Sequence, residues 1–365
     1  MTLKEICWAR YLTSPPPLPY DVKFRVIEEE KVTGHVEAHR YFLATCSPVF
    51  RVQFFGLLAD QKREIDIKET NFQAFSYLVN YIYGINTNFE PDMEVTELFE
   101  ILNIAERYDI QNLKKDVSKQ LQTTIHIEVE NALEIARTAM AHNHFESVSS
   151  SILSSCSRLL KKQLTTNRKF IEFCNRKSLI NEDLKLVADL MNTDGSLEVD
   201  TGGNLGNTTH EALQNDVPAK LENVNWIKLM DPNNGIPPDV CFKIMESPQT
   251  AINTENKVKG EVLAHKYLLA ASSDLFRSWF FNNSNPLPIS NIHSQQNEMI
   301  QLEYSSLKAF KVMINYIYGK YPNLTGTDKI CEMFEIADLA ERFAISGLKG
   351  EYKTALFLYF RGRSK

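Results

Sequence analysis

Histidine, cysteine and recurring charge pairs are the side chains with chemistry to offer. His142-Asn143-His144 is the closest histidine pair. Two imidazoles are half of a tetrahedral zinc site, but no cysteine or third histidine stands nearby, which favours two solvated histidines. The six cysteines, at 7, 46, 156, 174, 241 and 331, include no Cys-x-x-Cys pair. That spacing disfavours a zinc site or a disulfide framework and reads as scattered intracellular thiols. No Gly-x-Gly-x-x-Gly, phosphate loop, Gly-x-Ser-x-Gly or His-Glu-x-x-His occurs. The sequence therefore predicts no enzyme, no metal and no cofactor.

Charge is unevenly spread. Arg158 to Lys177 holds seven basic residues (Arg158, Lys161, Lys162, Arg168, Lys169, Arg176, Lys177) against Glu172 alone. Such a run either docks an acidic partner or is a solvated helix face, with Phe170 and Phe173 turned into a core. The whole chain carries 40 Lys+Arg against 46 Asp+Glu, a formal charge of −6. This disfavours nucleic acid, whose phosphates need basic contacts. With 43% hydrophobic and 24% charged residues over 365 positions, two or three globular domains are expected. No stretch approaches ~18 uncharged apolar residues, so no membrane association is expected. Lys4-Glu5 stands where a signal peptide would be apolar, so a cytoplasmic or nuclear protein is expected. The sequons at Asn207, Asn282 and Asn323 then carry little meaning.

The elements that hold these residues occur twice. Asp21-Val22-Lys23-Phe24-Arg25-Val26 returns as Asp239-Val240-Cys241-Phe242-Lys243-Ile244, 218 positions on. Ala38-His39-Arg40-Tyr41-Phe42-Leu43-Ala44 returns as Ala264-His265-Lys266-Tyr267-Leu268-Leu269-Ala270 at 226, and Asn80-Tyr81-Ile82-Tyr83-Gly84 returns unchanged from Asn315 at 235. The two added lengths fall in Ser247–Lys259 and Asn282–Asn297, both of loop composition. Surface loops absorb such insertions at little entropic cost. A period above 200 residues is a domain duplication and not a solenoid.

Each copy reads as a small sheet followed by helices, an α+β domain of ~100 residues. In copy 1, alternation predicts a strand from Asp21 to Ile27, a charged tip at Glu28–Lys31 and a second strand from Val32 to Val36. A helix is expected from about Ala38 to Ser47-Pro48, where Ser47 caps a new one. Ile65-Asp66-Ile67 predicts a third strand. Phe72, Phe75, Leu78, Val79 and Ile82 form a helical stripe closed by Gly84, and helices at Glu97–Tyr108 and from Leu113 complete the unit. Between the copies, helices are expected at Ile127–Arg137, around Ile152–Leu160, at Phe170–Phe173 and at Leu184–Leu190. His39 and His265 recur beside apolar helix positions, which suits histidines satisfying local backbone groups. Asp21 with Arg40, and Asp239 with Lys266, are acid–base pairs present in both copies, and a structural ion pair accounts for them.

The order Asp-Val-x-Phe, Ala-His-Arg/Lys-x-x-Leu-Ala-x-x-Ser-x-x-Phe, Phe-Phe, strand, then Tyr-Ile-Tyr-Gly resembles the BTB/POZ family, and the region after copy 1 resembles its BACK-type helical extension. The resemblance divides the chain into an N-terminal segment (1–19), BTB/POZ domain 1 (20–122), a BACK-like extension (123–191), a flexible linker (192–219), BTB/POZ domain 2 (220–358, its matching residues from Pro238) and a basic tail (359–365). It also implies a function: a substrate adaptor for a cullin-RING E3 ubiquitin ligase, docking the cullin through copy 1. Leu58, Ala59 and Asp60 stand in the loop used for that contact, with Asp in place of the usual Glu, and Tyr108 is a further candidate. Copy 2 has Asn282-Asn283-Ser284-Asn285-Pro286 there. In zinc-finger relatives a similar acid and base line a pocket at the dimer interface, the alternative for Asp21, Arg40, Asp239 and Lys266. The other functional reading is a dimerisation or scaffold module without ubiquitin chemistry, the copies pairing as a homodimer or within one chain. A linker of ~28 residues spans about 26–32 Å as a random coil, enough for the latter.

Overall fold

The computed structural model describes residues 6–12, 17–85, 93–123, 126–164, 181–192, 221–231, 236–245, 258–281, 298–302, 306–322 and 330–362, with Phe89, Lys169 and Phe173 besides. The sequons, most of the linker, the Asn282–Pro286 loop and most of the 165–180 stretch lie outside these residues.

Copy 1 opens with β1 (Val22–Glu28) and β2 (Lys31–Ala38), then α1 (Arg40–Cys46), α2 (Pro48–Phe55), β3 (Glu64–Ile67), α3 (Phe72–Ile82), α4 (Val95–Arg107) and α5 (Gln111–Thr123). Three helices follow: α6 (Ala132–Ala141), α7 (Glu146–Gln163) and α8 (Asn181–Asn192). Copy 2 gives β4 (Val240–Met245), β5 (Val258–Ala264), α9 (Lys266–Ser272), α10 (Asp274–Phe281), β6 (Glu298–Leu302), α11 (Leu307–Ile317), α12 (Ile330–Arg342) and α13 (Ser346–Gly362). Each sheet has three strands with the first in the centre, antiparallel to the second and parallel to the third. Even the register shift after Val26 recurs after Ile244.

The duplication extends to side-chain packing. Phe24, Phe50 and Phe75 meet in the first core, with Phe24 5.8 and 5.0 Å from the other two rings. Their counterparts Phe242, Phe276 and Phe310 meet at 5.9 and 5.1 Å, although the three positions carry three different offsets. Ser47 caps α2 by accepting the Phe50 N–H and donates to the Tyr108 carbonyl at 2.6 Å; Ser273 makes the same pair of bonds with Phe276 and Phe343. The hairpin tip is tight because Glu29 and Glu30 both adopt positive φ, the geometry that matches strand twist. Gly84 and Gly319 close their helices at φ 77° and 90°, where a side chain would be strained.

Two expected spans shift. Ala38 stays in β2, paired with Val22, and α1 starts at Arg40 because the Asp21 carboxylate accepts the Arg40 N–H at 2.8 Å. Residues Ile127–Asn131 are not helical: the Asn131 side chain accepts from the Glu128 N–H and donates to the His126 carbonyl, and α6 begins after it.

A short 3₁₀ turn precedes each sheet, Trp8–Leu12 in copy 1 and Trp226–Met230 in copy 2. These stand at the same offset of 218, so the repeat reaches back to Trp8. Both tryptophans are buried, and their rings meet 5.0 Å apart, bringing the two copies together. Across this seam Tyr41 lies 4.9 Å from His265, and Tyr267 lies 5.7 Å from His39. Tyr41 and Tyr267 are counterparts, as are His39 and His265. The contact is therefore reciprocal, the signature of a two-fold interface, here made within one chain.

Candidate functional site

Two sets of residues picked out from sequence belong to one network. The Asp21 carboxylate caps α1 through the Arg40 N–H, and the Arg40 Nε donates to the Asp21 carbonyl at 3.3 Å. Burial raises the Asp21 pKa above its ordinary value, partly offset by the Arg40 N–H, the Arg40 charge and the Tyr267 hydroxyl. The Arg40 guanidinium then crosses the Phe54 ring at 5.2 Å and donates to the carbonyls of Asp60 and Lys62. Arg40 thus fixes the loop that leaves α2, a task for a planar fork of donors. Main-chain bonds tighten it further: Ala59 N–H to Gly56 and Asp60 N–H to Gln53 at 2.8 Å, with the Asp60 carboxylate accepting the Lys62 N–H at 2.9 Å.

This loop holds Leu57 and Leu58 out in solvent, each essentially fully exposed, while Val52 on α2 is 69% exposed. A rigid loop carrying adjacent exposed leucines beside an exposed valine is an apolar contact surface, since a buried leucine contributes roughly 1.5–3 kcal/mol relative to an exposed one. Leu57 and Val52 were not singled out from sequence. The signal was available: Gly56 ends α2, and two leucines follow where a turn would carry polar residues. The structure brings Leu58, Ala59 and Asp60 together and sets Tyr108 apart. Tyr108 is buried and stacks on Phe50 at 4.3 Å, and burial pushes its phenol up to about 12.

In copy 2 the Asp239 carboxylate accepts the Lys266 N–H at 2.7 Å, the same cap. An ammonium replaces the guanidinium fork there.

His39 and His265 are buried, and burial lowers each to about pKa 4. Tyr83 and Tyr318 hydroxyls sit 2.8 and 2.7 Å from their Nδ1 atoms and accept their main-chain N–H groups at 3.1 Å. Nε2 of His39 faces the Leu18 carbonyl at 3.3 Å, which assigns its proton to that nitrogen. His142 and His144 instead tie the extension to copy 1. His142 stacks on Phe99 at 4.5 Å, and His144 Nε2 reaches the Asn103 side chain at 3.1 Å. Among the described residues no cluster of three or more His, Cys, Asp or Glu is placed to hold a metal, and no helix is long and apolar enough to cross a membrane. Phe173 is buried, as core, and Lys169 is exposed.

A BTB/POZ domain model matches residues 18–125 and again 249–356, together more than half the chain. Human BTB/POZ domain-containing protein 6 is 35% identical over 112 residues, 31% of this chain and 20% of that protein. Kelch-like protein 3 from mouse is 34% identical over 94 residues, 25% of this chain and 15% of that protein. The chain spans a fifth or less of the length of these relatives. With two copies of the sheet-and-helix unit and a family model matching both, the chain belongs to the BTB/POZ domain family, whose domains serve protein interaction.

Proposed function

We propose that the chain is a non-enzymatic substrate adaptor for a cullin-RING E3 ubiquitin ligase, acting in the cytoplasm or nucleus and docking the cullin through copy 1 and the helices after it. The observation that carries this reading is the pair of exposed leucines, Leu57 and Leu58, on a loop pinned by Arg40. Asp60 spends its carboxylate on the Lys62 N–H, so the apolar pair supplies the contact and the acid shapes the loop. Helices α6–α8 form a BACK-like extension in this reading, within the domain boundaries 20–122, 123–191 and 220–358. Similarity to Kelch-like protein 3 supports the assignment.

The test is capture of the chain on an immobilised cullin N-terminal domain. Recovery of the native chain and loss of Leu57→Asp and Leu58→Asp, with unchanged melting, is the expected result. Equal recovery of native and variant chains, or of neither, overturns it.

A second reading is a scaffold without ubiquitin chemistry. The reciprocal seam between the copies favours it, because pairing alone then accounts for both domains. Failure of cullin capture with a native, folded chain selects this reading.

A further inference from the structure

The two copies share a pairing face but not a docking loop. In copy 1 the exposed apolar residues of that loop and its helix are Val52, Leu57 and Leu58. At the offset of 226 that relates α1 and α2 to α9 and α10, the matching positions hold Ser278, Asn283 and Ser284, and Arg40 becomes Lys266. All three apolar residues are thus polar in copy 2, and the guanidinium anchor is replaced. A symmetric pair presents the same surface on both halves. This chain presents it on one.

Copy 2 nevertheless holds copy 1, and the hold is one-sided. The Tyr267 hydroxyl crosses the seam to the Pro19 carbonyl at 3.4 Å and hydrogen-bonds the Asp21 carboxylate. Asp21 caps α1 at Arg40, and Arg40 pins the carbonyls of Asp60 and Lys62. Copy 2 therefore reaches the anchor of copy 1's loop in two steps. The counterpart hydroxyl, that of Tyr41, is buried with no hydrogen-bond partner among the described residues. It makes no matching bond in return. Ring contacts add a second route. Tyr41 lies 4.9 Å from His265 and 6.1 Å from Phe55, and Phe55 ends the helix that leads to Leu57 and Leu58.

We propose that copy 2 is a resident partner for copy 1: it fills the pairing face from within the chain, steadies the docking loop through Tyr267 and Asp21, and offers no such loop of its own, so that each chain takes a single cullin. This rests on the cullin reading above. It gives copy 2 the part that a second molecule plays in a symmetric dimer.

Native mass spectrometry of the full chain with excess cullin N-terminal domain counts the partners. The expected species is one chain with one cullin domain. Leu58→Asp, at an exposed side chain, should leave no complex. Two cullin domains on one chain, a complex holding two chains, or a complex that survives Leu58→Asp overturns the proposal. Free native chain alone removes the cullin reading and the single-cullin claim with it, and its mass tells that failure from the others. Hydrogen exchange on the cullin-free chain tests the support of the loop. Tyr267→Phe should speed exchange at residues 57–62 about fivefold, as expected for one lost hydrogen bond. Tyr41→Phe should leave it unchanged. Equal effects of the two variants, or no effect of either, overturn the one-sided support.

Discussion

Trp8 and Trp226 meet ring to ring at 5.0 Å, joining two turns 218 residues apart. Both are buried, and the Trp8 ring also meets Tyr11 and Phe42 in copy 1. Truncating either indole opens a cavity at the seam.

Trp226→Ala is therefore expected to cost about 3–5 kcal/mol of stability. Urea denaturation followed by circular dichroism measures it. Light scattering on the native chain should give one 41.9 kDa species, since the pairing face is occupied from within. A doubled mass across micromolar concentrations would refute the closed arrangement.

Acid should loosen the same seam. His39 and His265 titrate near 6.5 when unfolded and near 4 when folded, so between those values unfolding takes up protons. Stability is then full above 6.5 and falls as pH drops through the window, by about 1.4 kcal/mol per unit for each histidine. From pH 6.5 to 5.0 that is about 2 kcal/mol each. Asp21 works in the opposite sense: its folded pKa is raised above 3.8, so its contribution is present in acid and is lost as pH rises through the folded value. Denaturation at pH 7.5 and 5.0 checks the sum, and His265→Gln should remove roughly half the difference. A flat profile would contradict the buried neutral imidazoles.

Arg40→Lys should leave copy 1 folded, because Lys266 stands at that place in copy 2. Lysine lacks the planar fork whose two terminal nitrogens each hold one carbonyl, that of Asp60 and that of Lys62, so the loop loses part of this anchor. The expected cost is about 1–2 kcal/mol, in line with hydrogen bonds to charged groups. Hydrogen exchange at residues 57–62 should accelerate while β1 and β2 stay protected. Unchanged exchange there would mean the loop does not depend on Arg40.

Gly34 and Gly260 are counterparts on the second strand of each sheet, and neither has room for a methyl group. A Cβ at Gly34 would fall 2.2 Å from the Phe72 ring, and one at Gly260 would fall 2.6 Å from a Leu307 methyl. Both alanine variants should lose about 1–3 kcal/mol. Gly34→Ala should lose more, because a ring yields less readily than a leucine terminus. Thermal melts of the two variants decide the order, and equal melting to native would contradict the close approach.

Much of the fold was legible because each element of the repeated unit is written twice. Phe72 to Ile82 and Leu307 to Ile317 carry one helical stripe, and α3 and α11 occupy those spans. Local competition was harder to read. Nothing in Ile127–Asn131 shows that the Asn131 side chain outbids the helix for the main chain of His126 and Glu128. Contacts across the seam leave no local period, so the meeting of Tyr41 with His265 was invisible. Trp8 and Trp226 could have been found from their shared offset, but no neighbouring motif drew attention to them. Of the candidate site, the loop was legible as loop composition after a phenylalanine pair. The role of Arg40 as its anchor was not, because its partners are main-chain carbonyls, which every residue carries.

The reciprocal seam has a hereditary consequence. In a dimer of identical chains, one substitution changes both halves at once, and a contact good on one side must be tolerable on the other. Joined in a single chain, each half can drift alone. Tyr11 already has: its hydroxyl reaches the Ala271 carbonyl at 3.2 Å, while the position facing the other way holds Leu229, which has no hydroxyl to offer. One copy is thus free to keep the pairing face while its outer surface takes up other work.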